Sequence, residues 1–297
     1  MKQRIPAISA AVLLTLLVPA LTAQTIQREV KRGNEKEVTV TLVSSFGSVN
    51  IAKGSSDKVV TVHYRERDRK VQPDLELNYS VDRGIGDLRI ELHPEHTTVE
   101  KEGKRDFNVH VNGADFRPDE WYVALTDAVP LSIDAELGAG KSDFDLTGLT
   151  VKELSVSTGA SRSVLSFNER NKGEIDELRI ETGVSKFSAN GLNYANYRSL
   201  SFDGGVGSYH LDFGGELDRT VDVTINVGLG AVTLVIPERT GVRVKYEDSW
   251  LSNFTIDDEF VRRKKGLYES ENYASAKGRM NVFIESGLGS VKVRRSR

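Results

Sequence analysis

The chain has 297 residues, no cysteine, 28% charged residues and a formal net charge of −3. A chain of this length can bury a substantial core, either as one elongated domain or as two. The lack of cysteine excludes a disulfide framework and an anchor on a lipid-modified cysteine. The mild acidity argues against nucleic acid or an anionic membrane as the main partner.

The N-terminus has the pattern of a secretory signal peptide. Lys2 and Arg4 form a basic start, residues 10–18 are mostly apolar, and small residues follow up to Ala23. The apolar run is shorter than the roughly 17–25 residues that span a bilayer, and no later segment is long and apolar enough to do so. We therefore predict a signal peptide over residues 1–23 and an exported, soluble chain. Cleavage removes two basic and no acidic residues, which takes the formal charge from −3 to −5.

A repeated unit fills most of the remaining sequence. Each unit has a short alternating strand, a glycine, an apolar residue, a glycine or serine, and a second alternating strand. The first glycines are Gly84, Gly138, Gly159, Gly183, Gly205, Gly228 and Gly287. The middle residues are Ile85, Ala139, Ala160, Val184, Val206, Leu229 and Leu288. The third positions are Gly86, Gly140, Ser161, Ser185, Gly207, Gly230 and Gly289.

The spacing of these units is nearly constant. From Gly138 to Gly228 successive first glycines are 21, 24, 22 and 23 residues apart. A period in the twenties indicates a stacked array of similar coils. A looser unit without the first glycine, "VTLVSSFGSVNIA", precedes the series at 40–52.

The alternation within a unit predicts the fold. Val221, Val223 and Ile225 lie on one face of a strand, with polar residues on the other. Two such strands joined at a sharp corner make one coil, and coils must stack to bury their apolar faces. We predict an all-β fold, a right-handed parallel β-solenoid like a single-stranded β-helix, with coils of about 22 residues. The first glycine would supply positive φ at the corner, the small third residue would avoid the next coil, and the apolar middle residue would point inward.

Two other interpretations of the glycine pattern fit less well. A phosphate-binding loop opens a helix or ends in Gly-Lys-Ser/Thr. The stretch "GAGKS" at 138–142 lacks the first glycine of that motif and precedes the strand-like "DFDLTG". A leucine-rich repeat has a similar period, but its asparagine or cysteine position is missing here and a second strand replaces its helix.

Two segments interrupt the repeat. Residues 93–120 are polar and turn-rich, which favours a projecting hairpin or loop. Residues 237–280 contain "GVRVKYE", which begins as a strand, and "DDEFVRRKKG", which suits a short helical turn. We expect this insert to cover the end of the stack or to bind a partner. The predicted organisation is one elongated domain over 24–297, with irregular coils at 24–119 and regular coils at 120–297.

The repeated "L-x-[IV]-x-x-G-x-[GS]" units, up to "FIESGLGSVKVR", resemble a bacterial family. These are the toast-rack β-strand-repeat domains of unknown function, also described as adhesins. The same pattern occurs in the C-terminal domain of LiaF-like cell-envelope stress regulators. The resemblance covers about residues 120–297 and, more loosely, 24–119. It implies a parallel β-solenoid outside the cytoplasmic membrane, with no known catalysis.

The residues that offer site chemistry have ordinary structural explanations. The histidines are His63, His93, His96, His110 and His210. Structural zinc sites use four nitrogen or sulfur ligands, whereas "HPEH" forms a turn without cysteine, so solvated loop histidines are expected. The acids beside the corners are Asp143, Asp145, Asp203 and Asp212. Glycoside hydrolysis needs two carboxylates about 5 to 10 Å apart, whereas alternating acids on outward faces are usually solvated.

Aromatic and basic residues could also bind polymers of the cell envelope. The aromatic candidates for stacking on sugars are Trp121, Tyr122, Trp250, Phe254, Tyr268 and Tyr273. Such residues more often seal a solenoid end. The basic candidates are "RRKK" at 262–265 and the tail "RRSR", which could meet anionic polymers but usually form a solvated surface. We predict no catalytic residue, no cofactor and no metal site.

Three functions remain open from the sequence. The favoured one is an exported, non-enzymatic, adhesin-like scaffold that binds a protein or polysaccharide of the cell envelope, in the periplasm or at the cell surface. The second is a polysaccharide-active β-helix enzyme, and the third is an extracytoplasmic component of envelope-stress signalling. The exposed terminal coils also allow a homo-oligomer through the solenoid ends.

Overall fold

The computed structural model describes residues 26–65, 74–93, 120–247 and 252–296. The predicted signal peptide lies outside these residues, as does most of the 93–120 loop. Among the described residues, none forms a helix long and apolar enough to cross a membrane.

All strands of the described part belong to one 16-stranded sheet, and one 3₁₀ turn, η1, is formed by Leu192–Ala195. The strands are β1 (Ile26–Lys31), β2 (Glu37–Lys53), β3 (Lys58–Arg65), β4 (Asp74–Asp82), β5 (Ile85–His93), β6 (Glu120–Leu125), β7 (Leu131–Asp145), β8 (Val151–Ser166), β9 (Ile175–Asn190), β10 (Tyr197–Asp212), β11 (Thr220–Pro237), β12 (Gly241–Glu247), β13 (Ser252–Ile256), β14 (Phe260–Lys264), β15 (Leu267–Ser270) and β16 (Arg279–Ser296).

Seven long strands form the regular array, which we define as β2, β7, β8, β9, β10, β11 and β16 in that spatial order. Each neighbouring pair is parallel. The register aligns the repeated units, so that Ala139 pairs with Ala160, Ala160 with Val184, and Val184 with Val206. The predicted all-β repeat is therefore confirmed. The expectation of two separate strands per unit is wrong, because each unit is one continuous strand that includes the glycine segment.

Each long strand must fold back on itself. The 15 residues of β7 would extend roughly 50 Å if straight. Residues 146–150, which lead from its end to the start of β8, span at most roughly 20 Å. The two halves of the strand therefore lie close together, and the corner between them is the glycine-containing segment. This makes the array solenoid-like.

The core lies between the two halves of each strand. Before the corner of β7 the buried side chains include Ile133 and Ala135, and after the corner Phe144 is fully buried. The buried residues have odd numbers before the corner and even numbers after it. The corner therefore shifts the alternation of buried and exposed side chains by one residue. The buried side chains of successive strands form one continuous hydrophobic cluster along the stack.

The corner glycines allow adjacent coils to approach closely. A Cβ on Gly138 would lie 2.3 Å from the carbonyl oxygen of Ser45, and a Cβ on Gly140 would lie 1.8 Å from that of Gly47. In the array, positive φ occurs at the third positions Gly140, Gly230 and Gly289, with a φ of 135° at Gly140, and at none of the first glycines. The prediction that the first glycine supplies positive φ is therefore wrong. That glycine is needed because the backbone of the neighbouring coil leaves no room for a side chain.

At its N-terminal end the array divides into two branches. The first half of β2 pairs with β5 and the second half with β6. β5 continues into an antiparallel hairpin with β4, and β6 into antiparallel pairs with β3 and then β1. Gly84 lies in the turn of the β4–β5 hairpin, with a φ of 82°. It is not a solenoid corner, so the assignment of 77–92 as a coil is corrected.

At the other end the insert adds strands beyond β16. β12 and β13 pair in parallel with successive halves of β16, and β14 and β15 form an antiparallel hairpin beside β12. The C-terminal strand β16 therefore lies between β11 and the insert, against its order in the chain. "GVRVKYE" is the predicted strand, but the expected helical turn is wrong: Phe260–Lys264 is strand β14, because it pairs with β15.

The strands at the two ends of the main strand order, β14 and β1, are charged. β14 is the last strand at one end, and Arg262, Arg263 and Lys264 on it are all exposed. β1 is last at the other end and exposes Arg28 and Lys31. Charged side chains on edge strands oppose pairing with another chain. The "RRKK" run therefore has a structural explanation at a sheet edge, where its charges oppose pairing of β14 with a second copy.

Candidate binding surface at the corner

The apolar middle residues of the units form an exposed ridge. Val184 is 64% exposed, Leu229 46% and Leu288 45%. Parallel pairing places the ridge residues side by side on successive strands of the array. The ridge consists of Ala139, Ala160, Val184, Val206, Leu229 and Leu288.

The prediction that these residues point inward is wrong. A residue at the apex of a convex corner has its side chain directed away from the interior, and glycines on both sides place the chain close to the neighbouring coil. Val206 is 44% exposed on this apex, whereas Phe202 and Tyr209 on the same strand are buried. Large exposed apolar patches on a protein surface commonly mark interaction sites.

A groove runs beside the ridge on the side that precedes the corner. It is open to solvent, and its volume is about 960 Å³. Its floor is the row of first glycines with the adjacent backbone, because these positions have no side chains. The floor glycines are Gly138, Gly159, Gly183, Gly205, Gly228 and Gly287. At the interstrand spacing of about 4.8 Å, seven strands give a groove roughly 29 Å long.

The outer wall of the groove carries four acids, Glu136, Glu181, Asp203 and Glu285. One outward-facing position per strand forms this acidic column. Its members are Val43, Glu136, Ser157, Glu181, Asp203, Asn226 and Glu285. Asp203 accepts hydrogen bonds from the side-chain amide of Asn226 at 2.8 Å and from the hydroxyl of Ser201 at 3.1 Å. Within the described residues, Glu136 and Glu181 have no ion pair, so their charge is available to a partner.

A short basic column lies on the other side of the ridge. Lys141, Arg162 and Lys186 each follow the corner directly, and pairing places them side by side on β7, β8 and β9. All three are exposed. No acid in the described part of the chain pairs with them. The corner surface, defined here as the ridge, the groove and the two charged columns, therefore has opposite charges on its two sides.

Hydroxyl groups lie beneath the groove floor. Thr158 and Thr182 are 5% and 6% exposed and occupy the same position on adjacent strands. Neither hydroxyl has a hydrogen-bond partner in the structure. A buried hydroxyl without a partner costs free energy. In contrast, the hydroxyl of Ser142 donates to that of Ser163 at 2.7 Å on the other side of the corner.

The four aspartates considered as catalytic candidates do not share one site. Asp203 is in the acidic column, whereas Asp143, Asp145 and Asp212 follow the corner and lie on the opposite flank. Asp145 and Asp212 share one column but are three strands apart, roughly 14 Å. Partial burial, and secondarily the charge of Asp145, raises the pKa of Asp143.

The histidines are similarly dispersed. His63 lies on β3 with its ring 6.1 Å from that of Tyr122, His93 ends β5 beside Glu91, and His210 lies on β10. His96 and His110 lie outside the described residues. Within the described ranges, no group of three or more His, Asp or Glu side chains is placed to hold a metal ion.

Most of the aromatic candidates pack at the ends of the array. Trp121 is fully buried against Tyr64, with ring centroids 4.7 Å apart, so it cannot stack on a sugar. Phe254 stacks on Tyr246 at 4.3 Å and contacts Tyr268 at 5.2 Å, which seals the insert against the array.

Two further aromatic candidates, Tyr122 and Tyr273, are only partly buried. Tyr273 lies under the guanidinium of Arg243, 4.2 Å from the ring centroid. Tyr122 is half-buried beside His63. Trp250 lies outside the described residues.

The corner surface was missed by sequence reasoning, although a signal for it exists. Lys141, Arg162 and Lys186 each directly follow the third corner position, and Glu136 and Glu181 each precede the first glycine by two. Aligning the units in a parallel array places each set in one column. No such signal in the sequence shows that the ridge side chains point outward, because an apolar residue suits either an inward or an outward position.

The fold defines this molecule as an all-β strand-repeat protein. Comparison with protein families identifies it further: the chain belongs to the toast-rack family, since the model described as the N-terminal domain of toast_rack, DUF2154, matches residues 20–190. The match includes the N-terminal region, where the sequence resemblance was looser. No curated protein matches the chain.

Several solved structures are similar to this chain. A "putative cell adhesion protein" from Clostridium sporogenes ATCC 15579 is 19% identical, with a TM-score of 0.45 over 92% of this chain and 99% of that one. A "putative adhesin" from Bacteroides fragilis NCTC 9343 is 10% identical, with a TM-score of 0.37 over 92% of this chain and 98% of that one.

Proposed function

We propose that this protein is an exported, non-enzymatic, adhesin-like scaffold that binds a protein or polymer of the bacterial cell envelope through its corner surface. The proposal includes a cleaved signal peptide over 1–23, one elongated domain over 24–297, and a location in the periplasm or at the cell surface. It also includes a right-handed coil, because parallel crossover connections are right-handed in nearly all proteins.

The observation that carries the proposal is the exposed ridge beside a long groove. Val184, Leu229 and Leu288 cost solvation free energy in the free protein, since each exposes about half of an apolar side chain. Such a row is explained if a partner covers it. The groove suits an extended chain better than a small substrate, because it is long, shallow and open.

The charge of the surface supports binding over catalysis. The four acids beside the groove lie on β7, β9, β10 and β16. Asp203 accepts hydrogen bonds from Asn226 and Ser201. Charged side chains along a groove give affinity for a partner that lies along it, as in groove recognition of peptides.

The experiment is site-specific photo-crosslinking of the exported protein in its own cells, with a photoreactive residue at Val206 in the ridge. We expect capture of an envelope component, identified by mass spectrometry for a protein or by glycan analysis for a polymer. The matched control carries the same group at Val261 on β14, which is 41% exposed but lies outside the corner surface. Equal capture from both positions, or none from Val206, would contradict a binding role for the ridge.

A further inference from the structure

We infer that a second copy of this chain binds the corner surface, so that two molecules associate side by side with their strand arrays parallel and in register. This deepens the proposed function, since it uses the same surface and names one partner for it. Each molecule would place its ridge in the groove of the other.

The repeat spacing favours a second copy over other extended partners. The ridge residues and most of the floor glycines recur once per strand, at about 4.8 Å, and the charged residues beside them occupy positions with the same spacing. A peptide lying along the groove repeats its side chains on one face every two residues, roughly 6.6 Å, and would soon lose register. A parallel copy has the same period, so that the contacts between ridge and groove recur along the array.

The shape of the corner is self-complementary. Each corner has a ridge, defined above, with the groove on the side that precedes the corner. A twofold rotation about an axis parallel to the stack makes two corners face each other and places their grooves on opposite sides. A sideways shift of one copy, by the distance between its ridge and its groove, then places the ridge of each copy in the groove of the other. Such an interface is isologous, with the same surface used by both copies.

The charges are complementary in this arrangement. The same rotation places the acidic column of one copy opposite the basic column of the other. Glu181 of one molecule then lies across from Lys186 of the second on the same strand, and Glu136 lies across from Lys141. An antiparallel arrangement would instead oppose acid to acid and base to base. Charge therefore selects the parallel orientation.

The size of the surface predicts modest affinity. A strip roughly 29 Å long that is only a few side chains wide falls at the low end of specific interfaces, near or below about 1,200 Å² in total. The expected dissociation constant is therefore on the order of micromolar. Salt should weaken the association because the charged columns are exposed.

The first test is single-cysteine crosslinking of the purified full protein, which has no native cysteine. The variants are Val184→Cys, Val206→Cys and Leu229→Cys in the ridge, with Val261→Cys as control, each treated with a short bifunctional maleimide. A parallel, in-register pair predicts crosslinked dimers from all three ridge variants and not from the control. An antiparallel pair predicts efficient crosslinking at one position at most, and no crosslinking above the control overturns the inference.

The second test is charge reversal, read by sedimentation equilibrium. Glu181→Lys and Lys186→Glu should each weaken self-association by tenfold or more, because each creates two like-charge contacts per pair. The double variant Glu181→Lys/Lys186→Glu should return to near the wild-type constant, because the opposite charges again face each other. A double variant as weak as either single one would overturn the arrangement. Circular dichroism checks that these exposed substitutions leave the fold intact.

The two proposals can fail separately. If the protein stays monomeric at all concentrations while photo-crosslinking from Val206 still captures a different envelope component, the self-association is wrong and the proposed function remains. If ridge variants dimerise as described but Val206 captures only a second copy, the corner surface serves self-association and the heterologous envelope partner is excluded from it.

Discussion

The middle of the sheet and its two ends differ in how their strands are paired and how their apolar faces are covered. In the middle, β8, β9 and β10 have parallel partners on both sides, and each buries its apolar face against the other half of its own coil. At the ends the sheet changes to antiparallel hairpins, β4–β5 and β14–β15. Repetition buries a core efficiently but leaves open edges, and the hairpins close them with charged strands.

The difference shows where substitution should be tolerated. In the array a change at one corner meets the backbone of the next coil, so the structure cannot relax by moving a side chain. In the end hairpins the strands have one partner or a solvent-facing edge, so small shifts are possible.

Glycine-to-alanine changes should separate the two regions most clearly. Gly140→Ala in the array should destabilise by more than about 5 kcal/mol, because the new Cβ would lie 1.8 Å from the Gly47 carbonyl oxygen and φ is 135°. Gly84→Ala in the β4–β5 turn should cost about 1 to 2 kcal/mol, because only φ is unfavourable and the nearest atom is 3.9 Å away. Urea denaturation measures both, and similar costs would contradict the close-approach explanation.

Removal of an aromatic ring should give the next largest difference. Phe202→Ala should cost about 3 to 5 kcal/mol, because the ring is fully buried between Phe187 and Tyr209. Phe254→Ala at the insert should cost about 1 to 2 kcal/mol, because this ring is only partly buried on Tyr246. If thermal denaturation shows the Phe254 variant to be the less stable one, the insert contributes more to stability than its burial indicates.

A finer contrast lies within the array, between satisfied and unsatisfied hydroxyls. Thr182→Val should raise the free energy of unfolding by about 1 kcal/mol, because its buried hydroxyl has no partner and valine has the same shape. Ser163→Ala is the control and should lower it by about 1 kcal/mol, because Ser142 donates to this hydroxyl, which itself donates to Ser161. A destabilised Thr182 variant would indicate a bound water at that hydroxyl.

The smallest expected effect concerns pH at the insert. Hydrogen bonds from Arg243, and then from Arg263, lower the pKa of Glu269 below its ordinary value of 4.5. A carboxylate with a lowered pKa in the folded state stabilises that state above its unfolded pKa, and loses the contribution as pH falls through the folded value. The stability difference between the wild type and Glu269→Gln should therefore be full at pH 7 and shrink below pH 4.5.

The control for this pH series is Glu153→Gln, which changes an exposed acid of the array. We expect its stability difference from the wild type to remain small between pH 7 and pH 3. Proteolysis of the β14–β15 hairpin provides an independent readout, because Glu269 connects Arg243 of β12 to Arg263 of β14. If acid does not reduce the effect of the Glu269 variant, the hydrogen bonds from Arg243 and Arg263 do not hold the hairpin.

Much of the array was predictable because its signals are local and repeated. Val221, Val223 and Ile225 alternate with polar residues, and all three are buried as expected. The hairpin at Gly84 was not distinguished from a corner, since a tight antiparallel turn and a coil corner both favour glycine. The place of β16 between β11 and β12 was also not predicted. The order of strands depends on which edge of the sheet is unpaired when the chain returns from the insert to the array.

By itself, the sequence determined the class of fold, the period and the faces of most strands, because alternation and glycine spacing act within one coil. Only the tertiary structure decided which way Val206 and Leu229 point, which charges share a column, and how the ends are closed. These properties depend on the curvature of the corner and on contacts between residues far apart in the chain. The candidate binding surface consists of such contacts, and therefore became visible only once the coils were stacked.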